Sequence, residues 1–335
     1  MGGFFGVVSK DDCVPHLFYS TDYHSHLGTR RGGMAVVNRR GYDRHIHDIS
    51  NAQFRSKFDE DIATMKGNMG IGVISDYEDQ PLIIGSHLGV YAIVTVGVIN
   101  NAEQLAAKAF NKRTTHFSEM SGNEVNPTEL VATLINQEKS FEAGIQSVHE
   151  EIEGSCSILL LTGGGIYAAR DRLGRTPVIV GKGPRGYAAT TETCAFANLE
   201  YETVRDLGPG EIAFLTPDGF EQRVAPGTAM QMCSFLWIYY GYPASSYEGL
   251  NVEAARYRCG AALAARDDVE IDYVAGVPDS GTAHALGYAD KARVTYRRPF
   301  VKYTPTWPRS FMPQVQSVRD QIGRASCRER VCHRV

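Results

Sequence analysis

No run of about 18 consecutive apolar residues occurs in the 335-residue sequence, and no basic segment leads into a long apolar core at its start. A membrane-spanning helix and a secretory leader are therefore not expected. Cysteine is sparse, and the seven thiols include no C-x-x-C pair, so the spacing of a zinc site or a disulfide frame is missing. Reduced thiols in a cytoplasmic protein are expected instead. Excess charge is missing too: the formal net charge is -4, and clusters as short as "TRRGG" supply no basic surface for nucleic acid. N-myristoylation is a poor fit because Gly6 stands where Ser or Thr is wanted. What is present is ordinary for a globular chain, with 43% hydrophobic and 21% charged residues and length enough for two domains.

The amino end raises a chemical question. A free α-amine exposed by Met removal can act as general base for its own residue's side chain, yet Gly2 has none. From there to about residue 225, short strand-like runs ("GFFGVVS", "GNMGIGVIS", "GVYAIVTVGVI", "CSILLLTGGGIYAAR", "GYAATT", "EIAFLTPDG") alternate with helical stretches near "NAEQLAAKAF" and "NPTELVATLINQEKS". Many short strands with a few helices indicate a layered sandwich. A Pro/Gly-rich passage, "PDGFEQRVAPGTAMQ", reads as a joint between domains. Beyond it, "VEAARYRCGAALAARDD" places Ala255, Cys259, Ala262 and Leu263 on one helical face, which predicts an amphipathic helix. The following "IDYVAGVPDSG" and "TAHALGYA" read as strand, tight turn and helix, the geometry of an anion site. No internal repeat or low-complexity segment is evident.

In order along the chain stand "IYAARDRLGRTPVIVG", "YAATTETCAF", "VRDLGPGEI", "CSFLWIYYGYPAS", "GLNVEAARYRCGAALA", "GVPDSG" and "ALGYA". Together they resemble the glutamine phosphoribosylpyrophosphate amidotransferases, and the resemblance extends over residues 2–320. It implies an α+β fold followed by an α/β fold. The first is a four-layer αββα N-terminal nucleophile glutaminase domain over 2–225; the second is the N-terminal part of a phosphoribosyltransferase domain over 226–321. In such enzymes, ammonia released from glutamine displaces pyrophosphate from phosphoribosylpyrophosphate, a pentosyl transfer in purine nucleotide biosynthesis. The resemblance further implies a homo-oligomer and leaves purine nucleotides open as regulators.

Members of the family begin with a processed cysteine, then Gly and an apolar strand; Gly2 holds the cysteine's place here. Four other positions depart from the pattern. Leu27 replaces the arginine of a His-Arg-Gly turn, and Ser75 replaces the arginine that pairs with the glutamine carboxylate. Val96 replaces the asparagine of the oxyanion-hole Asn-Gly pair, whose Gly97 is retained, and Pro127 replaces the aspartate that holds the substrate amine. The expectation is a retained scaffold without glutaminase chemistry. Arg170-Asp171 and Arg175 match the family's "RD…G…RP" turn and are expected to brace the sandwich. His24 and His26 are expected at a surface or capping position, and Cys13, Cys156, Cys194 and Cys259 in packing roles.

In the transferase half, the resemblance assigns Asp279, Ser280 and Gly281 to the turn facing pyrophosphate, with Ser280 contacting the Mg²⁺ that accompanies phosphoribosylpyrophosphate. Lys302 and Arg309 match the family's flexible loop, in which Thr304 and Pro305 replace its arginine and tyrosine. Cys233 stands where some members carry an iron–sulfur ligand, but a cluster needs several thiolates. The family's paired acidic residues and phosphate loop do not occur before residue 320. From Ile322, "IGRASCRERVCHRV" looks like a translated sequencing adapter and is set aside from fold reasoning, so the sequence is expected to represent part of a longer protein. Three readings stay open: an ammonia-dependent amidophosphoribosyltransferase-type protein, a non-catalytic regulatory paralogue that binds nucleotide or an active partner, and a transferase with another amine acceptor.

Overall fold

A computed structural model describes residues 2–111, 117, 120–121, 124–301 and 320. The chain forms two compact units, residues 1–255 and 256–335.

The first unit is built on two antiparallel sheets. One has seven strands in the order β13 (Glu202–Asp206), β11 (Ile179–Gly183), β12 (Gly186–Thr190), β1 (Gly3–Ser9), β4 (Met69–Ser75), β2 (Arg31–Asn38) and β3 (Gly41–Asp48). The other has six: β15 (Gly219–Val224), β14 (Ile212–Thr216), β10 (Gly165–Ala169), β9 (Gly154–Thr162), β6 (Gly89–Ile99) and β5 (Leu82–Ser86). Two-residue strands pair as β7 (Met120–Ser121) with β8 (Glu124–Val125), and β16 (Ser246–Tyr247) with β17 (Leu250–Asn251).

Strand β1 shows why the apolar runs are continuous rather than alternating. Side chains point to opposite faces at successive residues. Phe4 and Val8 enter a core between the sheets, beside Val94, Leu159 and Leu161. Phe5 and Val7 enter a second core on the other face, closed by α1 (Val14–Asp22), α2 (Phe54–Thr64) and α6 (Cys194–Asn198). A third core lies on the outer face of the six-stranded sheet, under α3 (Ala102–Asn111), α4 (Pro127–Ile135) and α5 (Phe141–Glu151). The expected αββα layering is therefore present. Only the edges are polar: β3, reading "GYDRHIHD", is half-buried to exposed along its length, as suits a strand with one unpaired side.

Arg170 is the largest fully buried side chain, 1% exposed. Its guanidinium donates to the carbonyls of Leu207 and Gly174 and pairs with Glu248 at 2.6 Å. Asp171 accepts the backbone N–H groups of Leu173 and Thr176 at 3.2 and 2.7 Å. Arg170 and Asp171 thus tie the turn to the core separately, and the acid serves the backbone rather than the guanidinium.

The second unit holds most of α7 (Val252–Ala264), then β18 (Tyr273–Val274), α8 (Gly281–Ala292) and β19 (Thr295–Tyr296), with β18 and β19 parallel. The predicted helix and the strand–turn–helix order are present. The predicted apolar face is not buried: Cys259 is exposed and Leu263 is 61% exposed. The residues of α7 that are buried are Val252, Ala255, Arg256 and Gly260. Gly260 sits there because a Cβ would fall 1.8 Å from the His284 carbonyl oxygen, so this helix packs through a small residue and not through its larger apolar ones.

Replacing Arg170 with Ala would strand two buried carbonyls and Glu248. Urea denaturation is expected to show a loss of about 3 kcal/mol, with little recovered by Arg170→Lys, whose three N–H donors leave a single nitrogen and cannot reach acceptors that the guanidinium meets from two.

Candidate functional site

Antiparallel pairing sets Gly3 of β1 opposite Ile74 of β4 and so carries residue 2 to the end of β4. A Cβ on Gly2 would lie 2.4 Å from the Ile74 carbonyl oxygen and 3.6 Å from the Ser75 Cα. At Gly3 it would meet His24 Cδ2 at 2.6 Å and Leu27 Cδ1 at 2.8 Å, and at Gly28 the Ser75 carbonyl carbon at 3.3 Å. Gly2, Leu27 and Ser75, far apart in sequence, therefore share one corner. Leu27 is only 4% exposed, so its contribution there is apolar packing.

A buried polar network extends from Ser75. Its hydroxyl donates to Glu78 Oε2 at 3.4 Å, and the hydroxyl of Thr128 donates to Glu78 Oε1 at 3.4 Å. Gln80 Nε2 donates to Glu78 Oε1 at 2.7 Å and to the Thr95 carbonyl at 3.1 Å, while Thr95 N–H donates back to Gln80 Oε1 at 2.7 Å. The Thr95 and Thr128 hydroxyls are 2.7 Å apart. Because Thr95 precedes Val96 and Thr128 follows Pro127, this network joins the remaining positions to the same region. Burial pushes the Glu78 carboxyl above its ordinary value, against the bonds from Thr128 and Ser75.

Val96 packs into the core between the sheets. Gly97 is required by close approach: a Cβ there would sit 1.9 Å from the Ser155 carbonyl oxygen on β9. Pro127 opens α4 at its first position, where a missing N–H costs nothing, behind an Asn126 cap that accepts from Thr128 N and Glu129 N.

A second buried cluster lies beside the start of β1. His24 follows α1 in a turn and is fully buried, so of the expected surface or capping role only the capping holds, directed at a carbonyl of the last turn of α1. Its Nδ1–H donates to the Ser20 carbonyl at 2.8 Å, and Nε2 faces the Thr190 hydroxyl at 3.0 Å. Burial lowers its pKa from 6.5 to about 4. Nearby, Glu192 receives the Tyr247 hydroxyl and lies 2.9 Å from His26 Nε2, an ion-pair separation without hydrogen-bond alignment. Burial pushes Glu192 up, but His26, Tyr247 and His24 outweigh it and hold the carboxyl below its ordinary value. Neither Glu78 nor Glu192 stands out in the sequence, since nothing in its local pattern separates a buried acid from a solvated one.

In the second unit, Ser280 caps α8 without using its side chain in a capping hydrogen bond. The Gly281 and Thr282 amides donate within the turn, to Val277 and Asp279 carbonyls at 3.0 and 3.2 Å. Asp279 is exposed and Ser280 half-buried, so an acidic group and a hydroxyl are presented together, a donor set suited to Mg²⁺. Cys233 is half-buried, and the Tyr240 hydroxyl lies 3.9 Å from its sulfur. Among the described residues no group of three or more His, Cys, Asp or Glu side chains is placed to hold a metal ion, so they do not fit an iron–sulfur cluster. Lys302, Thr304, Pro305 and Arg309, like the stretch from Ile322, lie outside the described residues. No described helix is long and apolar enough to cross a membrane.

The buried neutral His24 predicts a pH signature. With a native pKa of about 4 against 6.5, the unfolded state binds the proton first as pH falls, so this contribution is complete above 6.5 and is lost toward 4. The stability difference between wild type and His24→Gln in urea is expected to grow across that window and level off above it; a pH-independent difference would contradict the assignment.

Residues 68–198 match the family described as glutamine amidotransferase domain. Over 333 residues the chain is 29% identical to the amidophosphoribosyltransferase of Archaeoglobus fulgidus, covering 96% of this chain and 71% of that protein. The Bacillus subtilis amidophosphoribosyltransferase is 26% identical, with 95% and 68% covered. Among solved structures, the glutamine phosphoribosylpyrophosphate amidotransferase of B. subtilis complexed with ADP and GMP superposes with a TM-score of 0.82 at 26% identity, over 95% of this chain and 70% of that one. Another, described as the allosteric regulatory enzyme of purine biosynthesis, gives 0.81 at 26% identity, over 96% and 70%. The motifs, the layered fold and these likenesses agree: the chain belongs to the amidophosphoribosyltransferase family and carries an N-terminal glutamine-amidotransferase-like domain.

Proposed function

We propose that this protein is an amidophosphoribosyltransferase-like enzyme whose domain over residues 2–225 no longer hydrolyses glutamine. On this reading the domain beginning at residue 226 displaces pyrophosphate from phosphoribosylpyrophosphate with ammonia that arrives free or from a partner. The observation that carries the proposal is the Ile74 carbonyl, 2.4 Å from where a side chain on residue 2 would begin. An N-terminal nucleophile needs a side-chain sulfur or oxygen beside its own amine, and Gly2 has neither the atom nor the space. Three further features support the reading. Loss of one oxyanion donor typically costs about 10²–10³ in rate, and Val96 supplies no donor. A carboxylate fork needs two parallel N–H groups, and the Ser75 hydroxyl is committed to Glu78. Pro127 brings no carboxylate to the amine position.

On the transferase side, Ser280 and Asp279 would hold Mg²⁺, and Gly281 lets the helix start close to the substrate phosphates. The metal's contribution when bound is to neutralise charge on the departing pyrophosphate. Lys302 and Arg309 are proposed as cationic contacts to the same substrate.

Pyrophosphate release from phosphoribosylpyrophosphate by the full-length protein with Mg²⁺ is expected with ammonium and not with glutamine. Equal use of glutamine would overturn the loss of glutaminase chemistry, and no release with either donor would favour the regulatory paralogue. Gly2→Cys alone is expected to form no glutamate from glutamine, because the neighbouring groups remain unsuited and the backbone would have to move.

A further inference from the structure

A cavity of about 390 Å³ opens in the first unit between the end of α5, the start of β9 and the turn after Arg170. Its buried lining includes His149, Cys156 and Asp171, and exposed residues at its margin include Asn100, Glu153 and Arg172. Its lining residues Ser155 and Cys156 on β9 lie opposite Val98 and Gly97 of β6, so it adjoins the Val96 end of the region around Gly2 while sharing none of Gly2, Leu27, Ser75 or Pro127.

Three features mark it as a site rather than a packing gap. His149 is 8% exposed, and its Nε2 is buried without a hydrogen-bond partner. A neutral imidazole carries one donor and one acceptor, so the wall of the cavity at His149 is polar rather than apolar. Burial keeps the ring neutral, lowering its pKa from 6.5 to about 4. Second, the side chains of Arg172, Glu153 and Asn100 form no hydrogen bond or ion pair with the described residues, although all three border the cavity. By contrast, Arg175 is held by the Gly154 carbonyl at 3.1 Å and Gln231 at 2.7 Å, and both Asp171 oxygens serve backbone amides.

The third feature is charge balance. The lining carries two guanidiniums and two carboxylates, so it offers no net field for a polyanion such as a nucleotide. One cation, Arg172, and one anion, Glu153, are left with unused hydrogen-bonding capacity at the same opening. A guanidinium binds a carboxylate through a charge-assisted fork, and a carboxylate binds an ammonium in the same charge-assisted way. From this lining we infer a binding site for a free α-amino acid: Arg172 takes the α-carboxylate, Glu153 the α-ammonium, and Asn100 the polar part of the side chain. The inference is independent of whether the chain transfers ammonia.

Isothermal titration of the full-length protein with each of the common L-amino acids, and separately with inorganic phosphate, tests it. At least one polar amino acid is expected to bind saturably. Arg172→Ala and Glu153→Gln, both on the exposed margin where the fold tolerates change, are each expected to weaken that binding about tenfold, the scale of one lost charge-assisted contact. No binding by any amino acid, binding that both variants leave unchanged, or binding of phosphate in place of an amino acid would overturn the inference.

Discussion

The backbone of β4 occupies the space that a side chain on residue 2 would need, and the packing of β1 keeps it there. Strand β1 lies in the interior of the seven-stranded sheet, paired on both sides and buried on both faces. Sliding it to clear the Ile74 carbonyl would displace Phe4 and Val8 from one core and Phe5 and Val7 from another. Close-packed interiors resist such shifts. The environment of the amino end is thus a consequence of the sandwich as a whole, and a single substitution there would not remake it.

The region around that end is densely packed, and its buried polar side chains bond to one another, which is what the proposed loss of glutaminase chemistry calls for. Glu78 is held by Ser75, Gln80 and Thr128, and Gln80 is held in turn by Thr95 at both its amide nitrogen and its oxygen. Buried polar atoms are costly unless paired, and here they are paired internally. Such a network fixes loop positions and leaves few groups for a ligand. The turn at Asp279 and Ser280 is built differently: its backbone is internally bonded, Asp279 is exposed and Ser280 half-buried.

Much of this was legible in the sequence, for reasons that differ by element. Strand β1, helices α3 and α4 and the turn before α8 follow from apolar runs, caps and Pro/Gly punctuation. Pro127 at the first position of α4 follows from its lack of an N–H. Helices α1 and α2 and the β2–β3 hairpin are hard to single out, because the helices' apolar periodicity is weak and β3 is mostly polar, whereas α5 is as periodic as α4 and was legible in principle. Leu263 and Cys259 show the limit of pattern reading, since a stripe of correct spacing lost to packing through Gly260. Glu78 and Asp79 are neighbours of like charge, yet the first is buried and the second is half-exposed on the outside, paired with Arg31. Only tertiary contacts distinguish them. His24 is similar: its burial depends on Ser20 and Thr190, the latter 166 residues away.

The measurement closest to the central claim is intact-mass spectrometry after incubation with 6-diazo-5-oxo-L-norleucine, an electrophile shaped like glutamine that alkylates an activated nucleophile in a glutamine pocket. An unmodified mass is the result predicted here. A stoichiometric adduct mapped to any residue around Gly2, Leu27 or Ser75 would contradict it.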